Sequence, residues 1–309
     1  MMITGMRYLI LSLFLLFPES EAFSPLQSPH TSTRLASTTS PSPETTDKGL
    51  LKRDRYIATN RFAVRRDKGP KFEQRWANRK SRLAELPGFR YFHLMRRVTL
   101  DGKYDGGETD EEAQENYVSF TIWDKKSDFS AWRKGDAFKE AHGGTSIGAF
   151  LSTMVNSALV LRGPPRPAFY DGLYVSSTKS DSVPETVDGW RSVVADGMNP
   201  LPTECFVCMQ KYYIPPSKAV EFEGSAFWTK QDANDIAGLV AFGLMRRDGQ
   251  AKGHGTVEMD ESEPTYVATY VFENKASFDE WAAAAQEAPA TPEQVYYEGT
   301  LVLSSTVGA

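Results

Sequence analysis

Hydrophobic and polar positions between residues 58 and 176 alternate between the periods typical of strands and of helices. In chain order they predict a strand over Ala58–Arg65, a helix from Phe72 to Leu86, strands over Phe89–Val98 and Tyr117–Trp123, a helix from Ser127 to His142 and a strand over Ala168–Ser176. Pro87-Gly88 is expected to stop the first helix, and Ser127 to cap the second, which relaxes at Gly135. The order strand–helix–strand–strand–helix–strand is the ferredoxin-like arrangement of an α+β fold.

The second part of the chain repeats the first at a nearly constant offset. Asn60-Arg-Phe-Ala-Val64 reappears as Gln210-Lys-Tyr-Tyr-Ile214, an offset of 150 (210 − 60). Further matches at this offset or at one residue less are Gly88 with Gly238, Arg96 with Arg246, Tyr117 with Tyr266, Phe129 with Phe278 and Trp132 with Trp281. This register predicts two tandem ferredoxin-like domains over 51–177 and 203–309, joined by a linker over 178–202.

The first 50 residues predict a targeting sequence that lies outside the fold. Tyr8–Phe17 is an apolar run of signal-peptide length, and Ser20 and Ala22 suit a cleavage site, so residues 1–22 are a predicted signal peptide. Residues 23–50 are rich in Ser, Thr and Pro, with no acid before Glu44, which predicts a disordered transit peptide. With Phe23 first after cleavage, the segment resembles the bipartite presequences of algae with complex red-type plastids. That resemblance implies the plastid stroma, and secretion is the alternative.

Composition narrows the partners of the processed protein. The whole chain has a formal net charge of −5, and residues 48–309 alone carry −3 (33 − 36), a mildly acidic balance that argues against nucleic acid as the main partner. No apolar run after the presequence is long enough to span a membrane, so no membrane contact is expected after processing. The two cysteines, Cys205 and Cys208, exclude a disulfide framework. On a strand their thiols would point to opposite faces, which favours a structural role over a redox CxxC motif.

Histidine is scarce, which limits the candidates for chemistry. His30 lies in the presequence and His254 in a glycine-flanked loop, while His93, in the middle of a strand, is interpreted as structural. His142 ends a helix whose apolar face is aromatic. From the residues alone it is either a surface residue stabilised by the helix dipole or a ligand. The sequence contains no GxSxG, HExxH, P-loop or GxGxxG motif, and no set of clustered zinc ligands.

Several spaced motifs together resemble a known family. They are Asn60–Val64, Phe72–Ser81, Pro87–Phe89, Tyr117–Trp123, Phe129–Trp132 and Phe138–His142. Over residues 56–175 the chain resembles the antibiotic biosynthesis monooxygenase domain and, more narrowly, its IsdG-type heme oxygenases. The resemblance implies a fold of the dimeric α+β barrel type. It also implies that Asn60, Trp123 and His142 form the catalytic and heme-binding site.

The resemblance assigns a role to each of these residues. His142 would be the axial ligand of the heme iron, Asn60 would donate an amide N–H to iron-bound oxygen, and Trp123 would press on the macrocycle. Heme would be both substrate and cofactor, together with O2 and an unidentified electron donor. Asn60 as a mere strand residue and Trp123 as a core residue are the alternatives. Arg75, Arg79 and Arg96 are candidates to bind the heme propionates, and the sequence does not choose among them.

The second copy departs from the pattern, because Gln210 and Phe272 replace Asn60 and Trp123 and Thr291 stands at the histidine position. We therefore expect a degenerate domain that pairs with the first in cis as a pseudo-dimer with one working site, leaving a homodimer open. The implied activity is heme degradation that releases iron and a linear tetrapyrrole. The alternatives are a non-catalytic heme- or tetrapyrrole-binding protein and a cofactor-independent monooxygenase of aromatic substrates.

Overall fold

A computed structural model describes residues 44–77, 83–104, 115–141, 158–177, 205–249, 263–284 and 288–304. The first half contains β1 (Arg55–Phe62), α1 (Gly69–Ala77), β2 (Phe89–Val98), β3 (Tyr117–Trp123), α2 (Lys126–Lys134), α3 (Asp136–Ala141) and β4 (Arg166–Ser177). The second half contains β5 (Phe206–Tyr212), α4 (Ala219–Glu223), β6 (Leu239–Arg247), β7 (Tyr266–Phe272), α5 (Lys275–Ala283) and β8 (Glu293–Ser304). None of the helices in these ranges is long and apolar enough to cross a membrane.

The eight strands close into a single antiparallel barrel in the order β1-β3-β2-β8-β5-β7-β6-β4. Within each half the strands follow the ferredoxin-like order, and the halves join where β2 pairs with β8 and β4 pairs with β6. The predicted α+β fold of the dimeric-barrel type is therefore confirmed. The helices lie outside the barrel, against the sheet of their own half.

Alternation along the strands divides the buried side chains between two faces. One set fills the barrel interior: Ile57, Met95, Val118, Phe120, Ala168, Tyr170, Val207, Met209, Met245, Val267, Val295 and Tyr297. The opposite face of each sheet packs against helices, through Tyr56, Phe62, Trp123 and Phe129 in the first half and through Tyr212, Phe222, Phe272 and Phe278 in the second. Any pocket between sheet and helix must therefore lie on the outer side of the barrel.

Most predicted elements agree with the structure, and the differences lie at their ends. The bounds of β2 and β3 match the prediction, whereas β1 begins and ends three residues earlier than predicted. The prediction that Ser127 caps α2 is wrong, because the N-cap position is Lys125 and Ser127 lies inside the helix. The predicted break at Gly135 is confirmed, since α2 ends at Lys134 and α3 begins at Asp136.

One glycine in each half has a backbone conformation that L side chains rarely adopt. Gly88 has φ +74° and Gly238 has φ +70°. A Cβ at Gly88 would overlap the Asp128 side chain, and a Cβ at Gly238 would overlap Ser277. The two glycines let the chain pass close under the helix that follows the third strand of each half.

A buried carboxylate in each half joins its helix to the other half of the barrel. In the first half, the Glu73 carboxylate accepts from Tyr117 Oη at 2.6 Å and from Arg96 Nη1 at 3.4 Å. Arg96 Nη2 then donates to Glu298 on β8 at 2.9 Å. Burial, followed by the nearby Glu73 carboxylate, raises the pKa of Tyr117, which stays a neutral donor.

The second half contains the equivalent network. The Glu223 carboxylate accepts from Tyr266 Oη at 2.7 Å and from Arg246 Nη1 at 2.9 Å, and Arg246 Nη2 donates to Asp171 on β4 at 3.3 Å. Asp171 and Glu298 occupy matching register positions, opposite Tyr56 in one half and Phe206 in the other. The two networks therefore repeat the same connection at the two joints.

Part of the segment that the sequence assigns to the transit peptide contacts the fold. Thr45 pairs with Leu51 around a turn. Leu50 packs on the apolar cluster of the second half, and the Leu51 amide donates to Glu223 at 2.7 Å. Residues 1–43 and 178–204 lie outside the described residues. The predicted presequence and linker, and the domain bounds at 50/51 and 202/203, stay predictions.

Arg96→Met and Arg246→Met are each expected to lower the free energy of unfolding by about 3–5 kcal/mol, because each leaves a buried carboxylate without its cation. The measurement is urea denaturation followed by tryptophan fluorescence. Arg90→Met is the matched control, because Arg90 pairs with Asp124 at 2.7 Å on the surface. Such exposed pairs contribute about 1 kcal/mol or less. A loss no larger than that of Arg90→Met would contradict a stabilising role for the two networks.

Candidate active site

Two of the three predicted site residues lie on the helix-facing side of the first half. Asn60 is on the same face of β1 as Tyr56 and Phe62, and Trp123 is on the same face of β3 as Tyr117. The register places Asn60 opposite Ser119 and Trp123 opposite Tyr56. Asn60 and Trp123 are thus four residues apart along neighbouring strands, or about 13 Å. The two side chains mark the ends of one stretch of sheet.

The sheet surface between Asn60 and Trp123, called the floor below, consists of small side chains. Ala58, Ser119 and Thr121 are all buried on this face. The Thr121 hydroxyl donates to the Ala58 carbonyl at 3.0 Å, which satisfies it against the sheet itself. Because these side chains are short, and because the Thr121 hydroxyl already has a hydrogen-bond partner in the sheet, the surface is low and offers a flat apolar molecule a place to lie. The three small residues stand at alternate positions of their strands in the sequence, and only the strand pairing brings them together.

Aromatic rings enclose both ends of the floor. At the Trp123 end, the Trp123 ring stacks on Trp132 at 5.5 Å and meets Phe129 edge-on at 5.9 Å. At the Asn60 end, Trp76 meets Phe62 edge-on at 5.9 Å, and it also stacks at 5.4 Å on Phe92, which lies opposite Thr121. Aromatic walls of this kind bind planar conjugated ligands.

Two polar groups at the site lack partners within the described residues. Trp123 is fully buried, and its indole Nε1 has no hydrogen-bond partner there. Asn60 is half-buried, and no hydrogen bond of its side-chain amide is found among the same residues. An unpartnered buried donor costs about 1–3 kcal/mol, which a ligand that accepts from it would offset.

The third predicted site residue, His142, lies outside the described residues. The structure follows its helix as far as Ala141, the last residue of α3. On that helix Phe138 meets Trp132 edge-on at 5.0 Å. The helix that leads to His142 therefore rests on the Trp123 end of the floor, and the role of His142 stays a prediction.

The three arginines proposed for propionate binding differ in their surroundings. Arg96 is wrong for that role, because its guanidinium is buried between Glu73 and Glu298 in the network of the first joint. Burial lowers the pKa of Arg75, and Arg79 lies outside the described residues. Neither is assigned or excluded by the structure.

Arg133, which the sequence analysis did not single out, is a better-supported cation at this site. It is half-buried over the Phe129 ring at 5.8 Å and the Phe169 ring at 6.0 Å. It has no carboxylate partner within the described residues. Burial lowers its pKa, although an arginine remains charged at neutral pH. The sequence feature that could have indicated Arg133 is its position one residue after Trp132 on an amphipathic helix.

His93 and the two cysteines lie away from this site. His93 is 1% exposed inside the barrel, with Nε2 at 3.6 Å from Cys205 Sγ, and burial lowers its pKa to about 4. A Cβ at Gly299 would overlap both the ring and the thiol. Cys205 belongs to the interior cluster and Cys208 to the helix-facing one, so the prediction of opposite faces is confirmed. Both thiols are free.

Sequence comparison identifies the first half of the chain. The profile of the antibiotic biosynthesis monooxygenase family matches residues 55–144. A heme oxygenase (staphylobilin-producing) of Staphylococcus haemolyticus (strain JCSC1435) is 33% identical over 89 residues, which cover 28% of this chain and 72% of that protein. The chain belongs to the antibiotic biosynthesis monooxygenase family.

A second curated relative and a solved structure are similar to this chain to very different degrees. A heme oxygenase (staphylobilin-producing) of Staphylococcus saprophyticus subsp. saprophyticus is 34% identical over 95 residues, covering 29% of this chain and 76% of the relative. Among solved structures, a heme-degrading enzyme from Listeria monocytogenes has a TM-score of 0.32 and 8% identity, covering 79% of this chain and 98% of that chain. Asn60, Trp123 and His142 all fall within the family match.

His93 predicts a specific pH dependence of stability for this family member. Its folded-state pKa of about 4 lies below the ordinary value of 6.5, so between these values only the unfolded state is protonated. The contribution of neutral His93 to the free energy of unfolding is complete above the pKa that His93 has in the unfolded state. It is lost as the pH falls toward the pKa that His93 has in the folded state. From pH 7 to pH 5 the free energy of unfolding should therefore fall by about 2 kcal/mol more in the wild type than in His93→Gln. Urea denaturation at both pH values measures this, and an equal fall in the two proteins would contradict it.

Proposed function

We propose that this chain is a heme-degrading monooxygenase that opens the porphyrin ring with O2 and an external reductant, releasing iron and a linear tetrapyrrole. The observation that carries the proposal is the shallow floor of the first half, with Asn60 and Trp123 at its ends and aromatic rings around it. The family match and the names of the two staphylococcal relatives support the same chemistry.

The described residues suit heme in shape, polarity and charge. A porphyrin is a flat apolar plate, which the small side chains of the floor accommodate and the aromatic rings enclose. Its carboxylates need a cation, and Arg133 is available at the rim. Heme supplies the iron at which O2 is activated, and a single neutral imidazole is the usual protein ligand for it. In this chain that ligand would be His142.

Asn60 and Trp123 would then have different roles toward bound heme. Asn60, with its amide unengaged in the described structure, would be available to donate a hydrogen bond to the bound ligand. Trp123 is held rigidly by Trp132 and Phe129, so its ring cannot yield when a ligand presses on it. A rigid indole against one edge of the plate would favour a distorted macrocycle, as the resemblance implies.

We propose further that the second half is a degenerate domain, which supplies in cis the sheet partner that closes the barrel. The pairing of β2 with β8 and of β4 with β6 supports this proposal. Gln210, Phe272 and the bulky Tyr270 stand where the first half has Asn60, Trp123 and Thr121. One heme site per chain is expected. For the presequence we propose import into the plastid stroma, which protein fused to a fluorescent reporter would test.

Hemin titration of the full chain tests the activity. We expect a Soret shift that saturates at one hemin per chain and then decays with ascorbate and O2, and His142→Ala should lose the iron ligation. A stable Soret band would instead indicate a non-catalytic heme-binding protein. Absence of binding would indicate a cofactor-independent monooxygenase, and two hemins per chain would contradict a single site.

Thr121→Tyr tests the floor directly, because it introduces the residue found at the matching position of the second half. A phenol ring in this position should fill the space above Ala58 and lower hemin affinity by at least tenfold, the equivalent of about 1.4 kcal/mol. Thr121→Val is the matched control, since it keeps the size of the side chain and should retain hemin binding. Hemin affinity that is unchanged in Thr121→Tyr would place the ligand elsewhere.

A further inference from the structure

The second half contains a cavity of about 610 Å³ between its helix α5, strands β5 and β8, and the segment 227–236. The side chains that define it are Gln210, Phe227, Gln231, Phe278, Trp281 and Tyr296. Roughly 300–1,000 Å³ is the usual size of a small-molecule site. The cavity is therefore large enough for a ligand of several rings.

The cavity occupies the place that matches the candidate active site of the first half. Gln210 corresponds to Asn60 and Trp281 to Trp132 by the sequence offset. Tyr296 corresponds to Phe169, because Tyr296 pairs with Cys208 as Phe169 pairs with Ala58. The second half thus keeps a space between helix and sheet although the residues in it have changed.

One buried atom in this cavity has no partner within the described residues. The Gln231 side chain is 93% buried, its Nε2 donates to the Phe227 carbonyl at 3.2 Å, and its Oε1 accepts no hydrogen bond there. An unsatisfied buried acceptor is unfavourable unless a ligand donates to it. A ligand that carries an N–H or O–H group would satisfy this acceptor.

Two further amides present donors to the same space. Tyr212 Oη donates to Gln210 Oε1 at 2.6 Å, and Tyr296 Oη donates to Gln294 Oε1 at 2.6 Å. Gln210 and Gln294 face each other across β5 and β8. With both oxygens engaged, the two amide nitrogens are left as adjacent donors, an arrangement that suits a carboxylate or carbonyl oxygen.

The charge at the rim also favours an anion. Lys230 and Asp279 both line the cavity. Asp279 is paired with Lys275 at 2.6 Å, whereas Lys230 is exposed and has no ionic partner within the described residues. The net charge contributed by these three residues is positive.

We propose that the second half binds a flat aromatic carboxylate carrying an N–H or O–H group, held between Gln210, Gln231 and Trp281. The aromatic rings stack on the Trp281 side, the carboxylate meets the amide donors and Lys230, and the N–H or O–H group donates to Gln231 Oε1. Among the described residues, no histidine or cysteine lines the cavity. This site does not depend on the heme activity proposed for the first half.

The test uses the full chain without hemin and the fluorescent probe 8-anilinonaphthalene-1-sulfonate, an aromatic anion with one N–H group. Saturable binding of one equivalent with enhanced, blue-shifted emission is expected. N-phenyl-1-naphthylamine has the same rings and N–H but no anionic group, and it should bind more weakly. Absence of saturable binding would overturn the proposal.

Variants locate the probe and test the roles of the residues. Gln231→Leu should weaken both probes about tenfold, the value of one hydrogen bond to a buried amide. Its thermal midpoint should not fall, because the variant also removes an unsatisfied acceptor. Trp281→Ala should weaken both probes as well. Unchanged probe affinity in both Gln231→Leu and Trp281→Ala would overturn the assignment. So would a Gln231→Leu variant that binds the probes more weakly but also has a lower thermal midpoint, because the loss of affinity would then follow from a loss of stability.

Lys230→Gln separates the charge from the apolar contacts. At low salt it should weaken the sulfonate probe about threefold or more and leave N-phenyl-1-naphthylamine unchanged. Lys218→Gln is the matched control, because Lys218 pairs with Glu221 on the surface away from the cavity and carries the same charge. Equal effects of the two lysine variants would contradict a carboxylate site at this rim.

Discussion

Closure of the barrel is the constraint on which the rest of the structure depends. The sheet of either half alone would leave two edge strands with unpaired backbone groups, β4 and β2 in the first half and β6 and β8 in the second. The joints β2–β8 and β4–β6 remove all four edges. The buried Arg96 reaches across the first joint to Glu298, and the half-buried Arg246 reaches across the second to Asp171. Because the same connection is made twice, each half stabilises the other.

Because side chains fill the interior of the barrel, ligands are expected to bind on its outer faces. Large apolar side chains such as Tyr170, Met245 and Tyr297 fill the barrel, and His93 inside it is kept neutral by burial. The space between sheet and helix in the second half and the surface that carries Asn60 and Trp123 in the first lie on separate outer faces of the barrel, so the residues of one can change independently of those of the other. Thr121 and Tyr270 illustrate this freedom, since a small hydroxyl and a fully buried phenol occupy matching positions in one fold.

Much of this architecture could be predicted from the sequence, and the exceptions have physical reasons. Alternation gave the bounds of β2 and β3, because their two faces meet different apolar cores. The pairing of Arg96 with Glu298 could not be predicted, since it joins residues of opposite halves that meet only after closure. For that reason a buried structural arginine was mistaken for a candidate ligand. Asn60 and Trp123 were found through the family resemblance, whereas the floor between them follows from strand register alone.

The unpartnered polar atoms differ between the two outer faces. Among the described residues, Trp123 Nε1 in the first half is a donor without a partner, whereas the second half has the acceptor Gln231 Oε1 and also the unpartnered hydroxyl of Tyr270. The four ring nitrogens of heme bind iron and carry no proton, so heme would leave Gln231 unsatisfied at a cost of about 1–3 kcal/mol. A metal-free ligand with an N–H group removes that cost, but it offers nothing for an iron ligand to bind. The difference in hydrogen-bonding groups would therefore favour a different ligand in each half, even though the two sets of residues occupy corresponding positions in the fold.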